Sequence, residues 1–372
     1  MPKELNMPGE LNTMEELMIF FKYFRSTVEL INNETMYKSK ILTFKDILYC
    51  CLYMNGNSST YSLTNINMSM NDIIDVSDTA LKNKRNIFNY KQFKRIADTL
   101  LDFIYQNDES PRIVGVDGTY IPLSIELQKD GFATSKKNSY CIALISSLFD
   151  VDRKMLINYN LCSDHNERKG LVNQINYLKP NDILIMDRGY YSNELLFFFD
   201  EKKIKTIFRM KHNSLLVREL IEKGQESMVK TITGGSKTIK FRIITYKIDN
   251  NDYYLGTTIL NHTISYFKNL YWKRWCTEIN FRESKYLLSL NNIQSKSKNK
   301  VYQDVYSHNI LFILSSFIKK CIEKGLKNNL FVNGKNLLHL LTSDILFLIL
   351  YKKLLCLVKK RLVKLCHVYQ KR

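Results

Sequence analysis

Helix-breaking and cross-linking residues are sparse in this 372-residue chain, which has five prolines and thirteen glycines. That scarcity excludes a collagen-like or proline-rich architecture. None of the eight cysteines (Cys50, Cys51, Cys141, Cys162, Cys276, Cys321, Cys356 and Cys366) belongs to a Cys-x2-Cys pair, and the six histidines are scattered. No zinc site is therefore expected. Unpatterned thiols without a signal-peptide pattern lead to an intracellular, reduced protein as the expectation. Long apolar runs are missing too. The most apolar stretch, 337–358, is interrupted by Asp344 and the Lys352–Lys353 pair, leaving less than the roughly 18–20 residues that a membrane helix needs. There is no internal repeat and no long low-complexity segment.

What is present is a globular mixture, 45% hydrophobic and 24% charged, which excludes wholesale disorder. At roughly 150 residues per domain the length predicts two or three structural units. Acid is short relative to base: 55 Lys+Arg stand against 36 Asp+Glu, a net charge of +19. The excess is uneven. Residues 1–110 carry 12 basic and 14 acidic side chains, whereas residues 263–372 carry 21 and 5, a net of +16. A large cationic field seeks a polyanion, so nucleic acid is the expected partner. The alternative is a lysine-rich surface from a composition biased toward Asn, Ile, Lys and Tyr.

Periodicity predicts helices over 14–32, 43–54 and 91–105, with an N-cap near Ser77 and a basic run, Lys82-Asn83-Lys84-Arg85, between them. This region, 1–110, is read as a helical unit that either touches DNA or forms a solvated lid. Strand-like runs follow at 112–123, 139–149 and 154–162. A helix is expected over 166–178, a breaker at Lys179–Asp182, a strand at 183–186, a helix after Ser192, and a strand at 205–210. Three strands followed by helix–strand–helix–strand predict an α/β fold, the order of an RNase H-like core with a mixed sheet and helices. The expected division is a core at 111–211, a β-rich insertion at 212–262, a core helix within 263–300, and a basic helical region at 301–372.

Asp117 ends the apolar run Ile113-Val114-Gly115-Val116, where a buried carboxylate is costly unless paired or metal-bound. The competing reading is a turn, since Asp-Gly is a hairpin signal. Asp187 ends a second such strand, at the edge where open α/β sheets place ligands. It could equally be a helix cap or an ion-pair partner of Arg188. Taking 271–285 as one helix puts Tyr271, Arg274, Glu278 and Lys285 within an arc of about 60°, with Arg282 beside them. Trp272, Trp275, Ile279 and Tyr286 occupy the neighbouring arc and are expected to be buried. That face is either a solvated, salt-bridged one or the third member of a carboxylate set. Three converging carboxylates could hold two divalent ions for phosphoryl chemistry.

The segment Tyr271, Arg274, Glu278, Lys285 has the form Tyr-x2-Arg-x3-Glu-x6-Lys, and so resembles the signature of the DDE transposases of the insertion-sequence-4 family. Val-Gly-Val-Asp-Gly-Thr-Tyr at 114–120 and Ile-Met-Asp-Arg-Gly-Tyr-Tyr at 185–191 are similar to that family's first- and second-aspartate strands. The resemblance implies an RNase H-like core, a β-rich insertion between the second aspartate and the glutamate, and a helical N-terminal region. It implies Asp117, Asp187 and Glu278 as catalytic, metal-holding residues for two Mg²⁺ (or Mn²⁺) ions. It further implies Tyr271, Arg274, Lys285 and Arg188 as DNA-binding residues. The implied function is DNA transposition: cleavage at terminal inverted repeats and strand transfer into target DNA by a homodimer on paired ends. The expected location is cytoplasmic and DNA-associated, or nuclear in a eukaryotic host. The alternatives are a non-mobile or domesticated RNase H-like nuclease and a basic DNA-binding regulator without catalysis.

Overall fold

Ile113-Val114-Gly115-Val116 and Ile183-Leu184-Ile185-Met186 lie side by side, in parallel, in one mixed sheet. The computed structural model describes residues 8–38, 42–54, 77–106, 108–286, 289–324, 330–342, 346–347, 349–350 and 369–371. The chain divides into two units: residues 108–121 with 142–282, and residues 1–107 with 122–141 and 283–372.

The first of these units is built on the sheet. Its strands are β1 (Ile113–Leu123), β2 (Cys141–Asp150), β3 (Met155–Cys162), β4 (Ile183–Met186), β5 (Lys205–Arg209), β6 (Ser227–Gly234), β7 (Lys237–Ile248) and β8 (Asn251–Thr257). Across the sheet they run β3–β2–β1–β4–β5–β8–β7–β6. Strands β1, β4 and β5 are parallel, whereas β2–β3 and the pairs from β5 outward are antiparallel. The mixed α/β arrangement is that of an RNase H-like core. Strand β2 is buried along most of its length, Ser146, Ser147 and Asp150 included, so it does not show the alternation of a half-exposed strand. The β-rich stretch after 212 does not stand apart: β6, β7 and β8 extend the same sheet from β5.

One buried pair anchors the middle of this sheet. Arg112 donates from Nη2 and Nε to Asp182 at 2.6 and 3.2 Å, and both side chains are nearly inaccessible. Asp182 also accepts the backbone N–H groups of Arg112 and Lys179. A buried guanidinium–carboxylate pair of this geometry is tolerated because its hydrogen bonds are filled. It fastens the beginnings of β1 and β4, the two strands that carry Asp117 midway and Asp187 just past the end. The expected helix over 166–178 is shorter, Glu167–Val172 followed by a 3-10 turn at Ile175–Tyr177, and Asn181 adopts a positive φ of 70° in the breaker.

The other unit is helical. It contains Pro8–Thr35, Phe44–Met54, Asp78–Arg85, Tyr90–Tyr105 and the long Lys298–Lys324. Ser77 and Asn89 cap their helices, Asn89 in a full capping box with Gln92. Phe20 packs on Phe317 (4.1 Å between ring centres) and Phe103 (5.4 Å), so the helix from the basic last third completes the N-terminal core. Arg85, part of the basic run that suggests DNA contact, turns inward and bonds Asp304 at 2.5 Å and Gln303 at 3.0 Å. The basic run Lys359-Lys360-Arg361 lies outside the described residues. No described helix is long and apolar enough to cross a membrane.

Candidate active site

The register Val116↔Met186 places Asp117 and Asp187 one step further along neighbouring parallel strands, whose spacing is about 4.8 Å. Side chains alternate along a strand. Asp117 therefore shares the face of Ile113 and Gly115, and Asp187 continues that of Ile183 and Ile185. Ile113, Ile183 and Ile185 pack against Phe267, Leu270 and Tyr271 of the helix Ile264–Trp272, so both aspartates point to the side where that helix lies. Asp117 is not a hairpin turn, because β1 continues through it to Leu123.

Glu278 reaches the same face through a close approach. A Cβ on Gly115 would lie 2.1 Å from Thr277 Oγ1 and 3.1 Å from Val151 Cγ1. Only a residue without a side chain leaves room for the helix Trp275–Tyr286 to lie against β1 here. Thr277 is buried at that contact, and Glu278 is its neighbour.

The segment around Glu278 corrects the single-helix reading of 271–285. The structure has two helices, Ile264–Trp272 and Trp275–Tyr286, joined by three-residue hydrogen bonds: Lys273 N to Leu270 O, Arg274 N to Tyr271 O, Cys276 N to Lys273 O and Thr277 N to Arg274 O. A 3-10 linkage turns about 120° per residue instead of 100°, so a few residues rotate the following face by roughly a quarter turn. Trp272, Trp275 and Ile279, expected inside, are 60, 47 and 44% exposed. Tyr271, Arg274, Thr277 and Phe281 are buried instead.

Arg274 is 5% exposed and forms the hub of the site. Its Nη2 donates to Glu278 Oε1 at 2.6 Å and its Nη1 lies 3.9 Å from Asp117 Oδ2. Its guanidinium also stands over the rings of Tyr271 and Trp275. Asp117 accepts the Gly118 N–H at 2.9 Å. Burial pushes the Asp117 carboxyl up to about 6; Glu278 and Glu167 push the same way, against the Gly118 N–H and Arg274. Asp187 has Arg209 Nη1 at 3.9 Å, and its buried Oδ1 accepts no hydrogen bond from a described residue.

Two residues here carry no sequence motif. Glu167 has its Oε2 3.8 Å from where a Cβ on Gly189 would lie, just past the second aspartate, and burial and the Asp187 charge both raise its carboxyl. Arg209, at the end of β5, faces Asp187 because β4 and β5 are parallel in register. A strand-end cation next to a strand-end acid is the only signal for Arg209, and it is weak. Of the residues expected to grip DNA, Arg188 is exposed and Lys285 half-buried. Tyr271 and Arg274 are buried; Arg274 is salt-bridged to Glu278, as in the competing reading, but inside the protein rather than on a solvated face.

Among the described residues, no group of three carboxylate, histidine or cysteine side chains stands ready to hold a metal ion. The donor chemistry nevertheless suits a hard divalent cation. Asp117 and Asp187 offer carboxylate oxygens side by side, one of them buried without a donor, and burial among like charges leaves Asp117 hard to ionise.

No curated protein matches the chain. The family model of the transposase DDE domain matches residues 108–314, more than half of the sequence. That span runs from just before β1, through the Glu278 helix, into the helix Lys298–Lys324, and on this match the chain belongs to the DDE transposase family.

Proposed function

We propose that the protein moves a DNA element of the insertion-sequence-4 type, cleaving phosphodiester bonds at the element's terminal inverted repeats and joining the freed 3′-hydroxyl to target DNA. The observation that carries this reading is the Val116↔Met186 register with the Gly115–Thr277 contact, which brings two aspartates and a helix-borne glutamate toward one face. Asp117, Asp187 and Glu278 would hold two Mg²⁺ (or Mn²⁺) ions, which when bound activate water or a 3′-hydroxyl and stabilise the leaving oxygen. Arg274 positions Glu278. Arg188, exposed next to Asp187, is free to meet a phosphate, and Lys285 adds a point charge on the Glu278 helix. Tyr271 contributes through its ring, which braces Arg274. A homodimer on paired ends is part of the same proposal.

The test is strand cleavage by the purified protein on DNA carrying the sequences that flank its gene, with Mg²⁺ present. Glu278→Gln should bring cleavage to background while DNA binding persists. The Arg274 contact adds a second expectation. Removing the charge leaves a buried guanidinium poorly paired, so the same variant should lose about 1–3 kcal/mol of stability, read by denaturant melting. Cleavage at the normal rate by Glu278→Gln would overturn the assignment.

Binding should also fall steeply with salt, because residues 263–372 carry the net +16. If about six to eight of those cations meet phosphates, log affinity against log salt should have a slope of about −5 to −7. A slope shallower than about −2 would exclude that surface as the DNA contact.

A further inference from the structure

Glu167 opens the helix Glu167–Val172, where Asn166 accepts the Lys169 N–H as cap. An acid in a first turn is ordinary, and solvent would be its usual destination. This one is held inward. A Cβ on Gly118 would lie 3.1 Å from Glu167 Oε1, and one on Gly189 3.8 Å from Oε2. The carboxylate thus lies against Gly118 and Gly189, approaching the two aspartates from the sheet face opposite the Glu278 helix. Its neighbour Arg168 secures that position, donating to the carbonyls of Gly189 at 3.0 Å and Tyr191 at 2.9 Å. The helix and the loop after Asp187 are thereby fastened together, with Glu167 between them.

No described cation forms an ion pair with Glu167. A half-buried carboxylate beside two others raises the energy of all three, and folding alone gives no reason to keep it. Tyr190 supplies a second, independent observation. It is 1% exposed, and its hydroxyl is buried with no hydrogen-bond partner among the described residues. After burial itself, the largest charges acting on that hydroxyl are those of Glu167, Asp117 and Asp187, with Cys162 behind them. Asp117 and Asp187 each meet a guanidinium nitrogen only at 3.9 Å, and Glu167 meets none among the described residues. A buried donor without an acceptor beside acids so weakly paired marks a polar site built for a positively charged occupant and its ligands.

We propose that Glu167 is a fourth carboxylate of the active site, held by Arg168 against Gly118 and Gly189 so that its charge and oxygens serve the same divalent cation as Asp117 and Asp187. The idea rests on the metal-dependent reading of the site. It assigns Glu167 either direct ligation or the orienting of a ligand, and in both cases cation affinity depends on its charge. Losing an orienting partner weakens metal affinity by about 10- to 100-fold.

The experiment is a titration of the full-length protein with Mn²⁺ alone, bound ion being read from the loss of the free-ion electron paramagnetic resonance signal. Wild type is compared with Glu167→Gln, Asp117→Asn, Asp187→Asn and the exposed control Glu222→Gln. Melting of each protein in chelator reports folding. The expected result is a Glu167→Gln protein that melts no lower than wild type in chelator and binds Mn²⁺ at least about tenfold more weakly, with Glu222→Gln unchanged. A structural role predicts the reverse: a lower melting temperature in chelator with Mn²⁺ affinity intact, and that result overturns the proposal. If both aspartate variants bind Mn²⁺ as wild type does, the metal reading itself falls. If they weaken and Glu167→Gln does not, only the assignment of Glu167 falls.

Discussion

Asp117→Asn is expected to stabilise the protein while abolishing its chemistry. Burial and the Glu278 and Glu167 charges hold the Asp117 carboxyl near 6, above the ordinary 3.8. A group whose folded-state value is raised favours the folded state only when protonated. Its ionisation therefore costs stability in full above about pH 6, and the cost fades as the pH falls from there toward 4. A shift of about two units corresponds to roughly 3 kcal/mol, an upper figure because the side chain is partly exposed. Asparagine keeps the shape and can still accept the Gly118 N–H, but it has no charge to bury. In metal-free buffer at pH 7.5 the variant should gain about 1–3 kcal/mol, and the gain should shrink toward pH 4. Equal stabilities at both pH values would show that Asp117 is not strained by its surroundings. Glu278→Gln should move stability the other way, because Glu278 has a buried cation to satisfy and Asp117 has only a distant one. Two acids of one site would thus be told apart by the sign of a melting shift, with both variants inactive.

Gly115→Ala should dislodge the Glu278 helix. The new methyl group would meet Thr277 Oγ1 at 2.1 Å, with Val151 behind it. A threonine in a helix has few rotamers to retreat into, so the helix or the strand must shift. Overpacking of this kind costs about 1–3 kcal/mol, and a shift of the helix also moves Glu278 relative to Asp117. Activity should therefore fall by more than the stability loss explains. The check is a second substitution. Thr277→Ala removes the obstructing hydroxyl, which has no hydrogen-bond partner among the described residues, and the double variant should recover both stability and cleavage. If Gly115→Ala alone is as active as wild type, the close approach does not set the position of Glu278.

The strand ends that carry the aspartates were legible because the chain announces them. Four apolar residues followed by an acid occur at Ile113–Asp117 and Ile183–Asp187, and a parallel sheet turns two such runs into neighbours. The break at Lys273–Arg274 was not legible, since neither proline nor glycine marks it and apolar periodicity continues across it. Only the three-residue hydrogen bonds rotate the face, and they exchange the two tryptophans for Arg274 as the buried element. Glu167 was hidden for a different reason. Its place depends on Arg168 reaching backbone carbonyls some twenty residues away, and backbone acceptors leave no trace in side-chain identity. The joining of helix Lys298–Lys324 to the N-terminal helices is likewise a long-range result. Its partners, Arg85 with Gln303 and Asp304, are more than 200 positions apart.

That last feature bears on synthesis. Phe20, Phe103 and Arg85 are made early, yet Phe317, Gln303 and Asp304, which complete their surroundings, are made some 200 residues or more later. About 220 residues separate the end of the helix Tyr90–Tyr105 from that of Lys298–Lys324. At roughly 5–20 residues per second, the nascent helices wait some 10–45 s on the ribosome with an open apolar seam. Chaperone demand should peak in that interval, and a stop codon anywhere before 324 should yield an aggregating fragment rather than a folded DNA-binding one.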